Sequence, residues 1–98
     1  MVKITEINID IVKDYLRLDH SEDDEFLGIL LSSARSFIQS YLNLKFDDFE
    51  EIPDELTIAC LAIISHWYEN RQVEVSNSKS LQELGYIFSG ILDIYKNW

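Results

Sequence analysis

Apolar and polar positions alternate along this chain with the period of helices. Leu27, Leu30, Leu31, Ala34, Phe37, Ile38 and Tyr41 step by three and four, which places them on one side of an amphipathic helix predicted over Glu22 to Leu42. Leu56, Ala59, Cys60, Ile63, Ile64, Trp67 and Tyr68 repeat the pattern in a second long helix, opened by Pro53 and ending near Arg71. A shorter stripe of Ile9, Val12, Tyr15 and Leu16 predicts a helix over Ile9 to Leu18. A fourth helix is expected over Leu81 to Tyr95. It is weakened at Gly85 and Gly90, each by about 1 kcal/mol relative to alanine, so its heavy apolar load must be held by packing.

The punctuation fits these elements. Asn8 can cap the first helix, with Ile7 and Val12 as a hydrophobic staple. Ser21 is expected to cap the second, whose first turn collects Glu22, Asp23, Asp24 and Glu25 at the positive end of the helix dipole. Asn43 suits a left-handed stop. The acidic connector Leu44 to Ile52 carries Phe46 and Phe49, both expected to tuck under the core. Gln72 to Ser80 reads as a polar loop, with Val73-Glu74-Val75 too short to count as a strand. The fold class is therefore all-α: a small bundle of about four helices, with a long central pair and a polar loop before the last helix. Ninety-eight residues make one domain, able to bury roughly 60–70% of the surface of the unfolded chain.

Charge narrows the function. Eighteen acidic and eight basic residues give a net charge of −10, and the basic residues form no cluster. Phosphate neutralisation dominates nucleic-acid affinity, so direct DNA binding and anionic lipid surfaces are disfavoured. No signal peptide is visible and no apolar run reaches the ~20 residues needed to cross a membrane, so a soluble, non-exported protein is expected. The single cysteine, Cys60, cannot form a disulfide framework and sits on an apolar stripe, as a small core residue does.

Candidate chemistry is sparse. Asp19, Ser21 and Asp23 have the spacing of calcium-loop oxygens, but Asp24 stands where that loop needs glycine and Leu30 where it needs a bidentate glutamate. A solvated helix start explains the same residues. His66 has no second histidine within helical reach and no HExxH pattern, so no metal site is expected. No G-x-S-x-G turn or glycine-rich phosphate loop is present, and neither enzymatic activity nor a cofactor is expected. Large aromatics at helix rims with an arginine nearby are interface anchors elsewhere. Tyr68 (beside Trp67), Tyr95 and Trp98 are candidates for that role.

The order of these features resembles the small head–tail connector, or adaptor, proteins of long-tailed phages and prophages. A short helix Ile11-Val12-Lys13-Asp14-Tyr15-Leu16-Arg17-Leu18-Asp19 is followed by the acidic cap His20-Ser21-Glu22-Asp23-Asp24. Then come Ala34-Arg35-Ser36-Phe37-Ile38 with Tyr41, Ile52-Pro53-Asp54-Glu55-Leu56, and the helix end His66-Trp67-Tyr68-Glu69-Asn70-Arg71. The tail Leu81 to Trp98 is similar only around Leu84-Gly85-Tyr86. The resemblance implies a virion protein at the head–tail junction, present in the host cytoplasm before assembly. It would have no catalytic activity and no cofactor. Copies would form a ring, matched to the twelve-fold portal and monomeric in isolation in some cases. The ring would dock on the portal protein, extend the DNA channel and receive a stopper or tail-completion protein. DNA would pass through without specific binding. An assembly role at the helix end would fall to Glu69, Asn70 and Arg71, and in the last helix Tyr86, Tyr95 and Trp98 are candidates for a second patch. The competing reading is a generic acidic helical interaction module or cytosolic regulator, such as an inhibitor mimicking DNA charge. A helix-turn-helix regulator lacks its basic recognition helix, and an enzyme ranks last.

Overall fold

Asn8 begins the first helix as expected. In the computed structural model, which describes residues 2–69 together with Leu92, Asp93 and Tyr95, its Oδ1 accepts from the Ile11 N–H at 2.9 Å. Helix α1 spans Ile9–Leu16, with Ile7 and Val12 both buried in the staple positions. It stops two residues before the expected Leu18. Arg17 takes the left-handed conformation, φ 60°. The N–H groups of Arg17 and Leu18 then turn back to the carbonyls of Asp14 and Lys13, which satisfies the helix end. Arginine gives no sequence signal for that conformation, which glycine normally supplies.

Helix α2 spans Asp24–Leu42, starting two residues later than expected. Ser21 is not its cap. The Ser21 hydroxyl accepts from Lys13 Nζ at 3.3 Å, and Asp23 occupies the cap position without a capping side-chain bond. The other end agrees with the sequence reading: Asn43 is left-handed at φ 56°, and Asn43 and Leu44 donate back to Ser40 and Gln39. A single 3₁₀ turn, Phe46–Asp48, follows, with Phe46 buried and Phe49 half-buried. Helix α3 spans Asp54–Glu69, immediately after Pro53.

Helices α2 and α3 form the central pair, and α1 packs on both. Their shared core contains Val12, Leu27, Ala34, Ile38, Leu42, Leu56, Ala59, Cys60, Ile63 and Ile64. Two expected stripe members fall outside it: Tyr15 and Phe37 are exposed. Both lie at the margins of their stripes, where a helical period cannot show how far the neighbouring element reaches. A further 3₁₀ turn, Ile4–Glu6, precedes α1, and its Ile4 is fully buried.

All-α architecture holds for the described residues, which form three helices and no strand. The expected loop Gln72 to Ser80 lies outside them. So does the expected fourth helix, Leu81 to Tyr95, apart from Leu92, Asp93 and Tyr95. Leu92 is fully buried in the common core. The body measures 38 × 30 × 17 Å, about two helix layers thick. No described helix is long and apolar enough to cross a membrane.

Candidate functional site

Residue Tyr68, near the C-terminal end of α3, is half-buried. Its hydroxyl donates to Asp23 Oδ2 at 2.6 Å, and its ring lies 6.4 Å from that of Phe26. The phenol therefore ties the end of α3 to the start of α2. The same arrangement recurs twice. Tyr95 donates to Glu55 Oε2 at 2.8 Å, and Tyr41 donates to Asp93 Oδ1 at 2.6 Å. These two bonds fasten the last described residues to the start of α3 and the end of α2. A carboxylate acceptor stabilises the protonated phenol, so the hydrogen bonds raise the pKa of Tyr41 and Tyr95, with burial adding to the effect.

Two of the sequence candidates, Tyr68 and Tyr95, thus have their hydroxyls engaged within the chain. Glu69 is exposed at the last position of α3. Asn70, Arg71, Tyr86 and Trp98 lie outside the described residues. Trp67 is half-buried and meets Phe37 edge-on at 6.1 Å and 79°, and Phe37 in turn stacks near Tyr41 at 6.4 Å. An aromatic seam thus runs along the α2–α3 border.

The pattern of stripes missed the role of Arg35. Its Nε donates to the Ile4 carbonyl at 3.0 Å and an Nη to the Ile7 carbonyl at 2.6 Å. The N-terminal segment is held to α3 as well: the buried Thr57 hydroxyl donates to the Val2 carbonyl at 2.8 Å, and Lys3 Nζ pairs with Asp54 at 3.0 Å. Arg35 is thereby a clasp for the segment that carries Ile4 and Ile7 into the core. Sequence reading also passed over two large exposed apolar residues, Ile29 and Ile58. Neither lies on a core stripe, which is the one signal that could have found them.

Lys13 Nζ pairs with Asp24 at 3.2 Å beside Ser21, which binds the acidic start of α2 to α1. Among the described residues no three His, Cys, Asp or Glu side chains stand together to hold a metal ion. His66 is half-buried on α3. Cys60 is fully buried, and burial pushes its thiol from an ordinary value of 9.0 up to about 12, against a small opposing pull from the Arg35 charge.

Those facts set an expected result. The folded chain at pH 8 should resist a thiol reagent, with labelling appearing only as denaturant unfolds it; rapid labelling of the native chain would contradict the burial. The folded-state value is raised above the unfolded one, so this group's stabilisation is complete below pH 9 and is lost as pH climbs toward 12. Over that window it removes up to about 1.4 kcal/mol per pH unit.

Residues 6–98 match the sequence profile of a family described as phage gp6-like head–tail connector protein. No curated protein and no solved structure matches the chain.

Proposed function

The chain belongs to the phage gp6-like head–tail connector family, and from that premise we propose that it is one subunit of a ring that docks on the portal, extends the DNA channel and joins head to tail. Membership makes it a structural protein of the phage particle, in a class that is not enzymatic. The observation that carries the finer reading is the extent of the match, which runs from residue 6 to residue 98. The motif positions within it also have physical roles: Ala34 and Ile38 are buried, Arg35 holds the N-terminal segment, and Tyr68 joins two helix ends.

The proposed subunit is a single domain that waits in the host cytoplasm and assembles at the head–tail junction. On the portal it forms a ring matched to the portal's twelve-fold symmetry and offers a platform to a stopper or tail-completion protein. The net charge of −10 suits that position. Acidic subunits around a channel repel the phosphate backbone, so DNA slides through without being held.

The test is electron microscopy and sedimentation of the chain, alone up to millimolar concentration and after mixing with purified portal. Rings coaxial with the portal are expected. A chain that neither oligomerises nor binds portal overturns the proposal.

A further inference from the structure

Charge is unevenly distributed over the described fold. From Phe26 to Leu42, Arg35 is the single charged residue, and its guanidinium is occupied by the Ile4 and Ile7 carbonyls. From Leu56 to Tyr68, α3 has no Asp, Glu, Lys or Arg at all. Among the described residues, the acidic side chains lie at Glu6, in α1, at the starts of α2 and α3, in the connectors, and at Glu69 and Asp93.

Two outward faces are uncharged as a result. On α2, Ile29, Ser33, Ser36 and Ser40 recur at helical spacing, all of them exposed, with Phe37 at their side. Ile29 is 58% exposed and Phe37 37%. On α3, Ile58 is 48% exposed, and its stripe continues through the half-buried Leu61, Ala62 and Ser65, of which Leu61 and Ala62 also pack against the core. The α2 face is thus polar but uncharged around the exposed Ile29 and Phe37, and the α3 face exposes Ile58. Because α2 and α3 contribute their buried residues to one shared core, the exposed Ile29 and Ile58 lie on the sides of their helices away from it.

We propose that these stripes are the two halves of a head-to-tail contact between copies of this chain, the α2 stripe of one subunit seated on the α3 stripe of the next. The inference rests on the ring reading and assigns its contact surfaces. The occupant follows from charge. Two chains of net charge −10 repel where their acidic surfaces meet, so copies approach at least electrostatic cost where neither carries charge. A basic partner would be drawn to the acidic helix starts instead. Two different patches are also what a heterologous contact requires, and such contacts close into rings when the rotation allows. A two-fold dimer needs only one self-complementary patch.

Ile29→Glu and Ile58→Glu test this assignment, because each places a carboxylate on one stripe at an exposed position. Both variants should keep the wild-type helical spectrum and melt within a few degrees of it. At concentrations where the wild type forms rings, alone or on portal, each variant should remain monomeric, with self-association weakened roughly a hundredfold or more. An equimolar mixture is the decisive sample. Each variant retains one intact stripe, so the mixture should sediment as a 1:1 pair and never as a ring. Absence of that pair overturns the head-to-tail assignment. Rings formed by both variants overturn the choice of faces and leave the ring reading standing. Variants that form rings but lose portal binding make the stripes a portal site, which also overturns it. A wild type that forms no ring even with portal sinks the ring reading, and this inference with it.

Discussion

Ile63→Ala is expected to be among the most damaging single substitutions in the described fold, costing about 2–5 kcal/mol. Ile63 sits fully buried on α3, within the core shared with α2. The loss combines the transfer free energy of three missing carbons with the cavity they leave, because a packed interior relaxes only in part. Small domains of this kind hold roughly 5–15 kcal/mol in all, so the variant would be close to unfolding at 37 °C. Ile58→Ala supplies the control: it lies on the same helix, has the same chemistry and points outward. Its cost should stay within about 0.5 kcal/mol. Urea titration followed by circular dichroism measures both, and the Ile63→Ala midpoint should fall by about 1–3 M. Equal losses at the two positions would mean that the packing described for α3 is wrong.

Arg35→Ala should rank close behind, at about 2–4 kcal/mol. It removes two charge-assisted hydrogen bonds and leaves the Ile4 and Ile7 carbonyls without their donors. Part of the damage should be local. The N-terminal segment would loosen first, because Thr57 and Lys3 remain as its other ties. Amide hydrogen exchange at Lys3 to Ile7 should therefore accelerate more than exchange in α3. Arg35→Lys should recover only part of the loss, since a single ammonium lacks the planar fork that reaches both carbonyls. Unchanged stability and unchanged exchange in Arg35→Ala would overturn the clasp.

These two substitutions differ in how visible they are beforehand. Ile63 is one step in a run of apolar residues spaced three and four apart, and that spacing alone assigns it to the core. Arg35 gives no comparable sign. It stands between Ala34 and Ser36 like any charged residue beside an apolar stripe, and its acceptors are main-chain carbonyls 31 and 28 residues away. The aromatic candidates behave similarly. Their residue types suggested an interface, yet the Tyr68 and Tyr95 hydroxyls are bonded to Asp23 and Glu55, which are 45 and 40 positions distant.

What the sequence determined by itself is local and periodic: the all-α class, the stripes of α2 and α3, the Asn8 cap and the Asn43 stop. It also carried the acidic balance that argues against a nucleic-acid binder, and an order of motifs sufficient to suggest the family. Helices form by bonds between residues four apart, so their signals sit within one or two turns of the chain. The tertiary structure decided which polar groups meet across elements. Lys13 took the Ser21 hydroxyl and α2 began late. Arg17 turned left-handed and α1 ended early. Phe37 fell at the border of the core, and Ile29 and Ile58 were left exposed. Each of these depends on which face of one helix lies against which face of another. That choice depends on which apolar faces can be buried together and leaves no trace within any single helix.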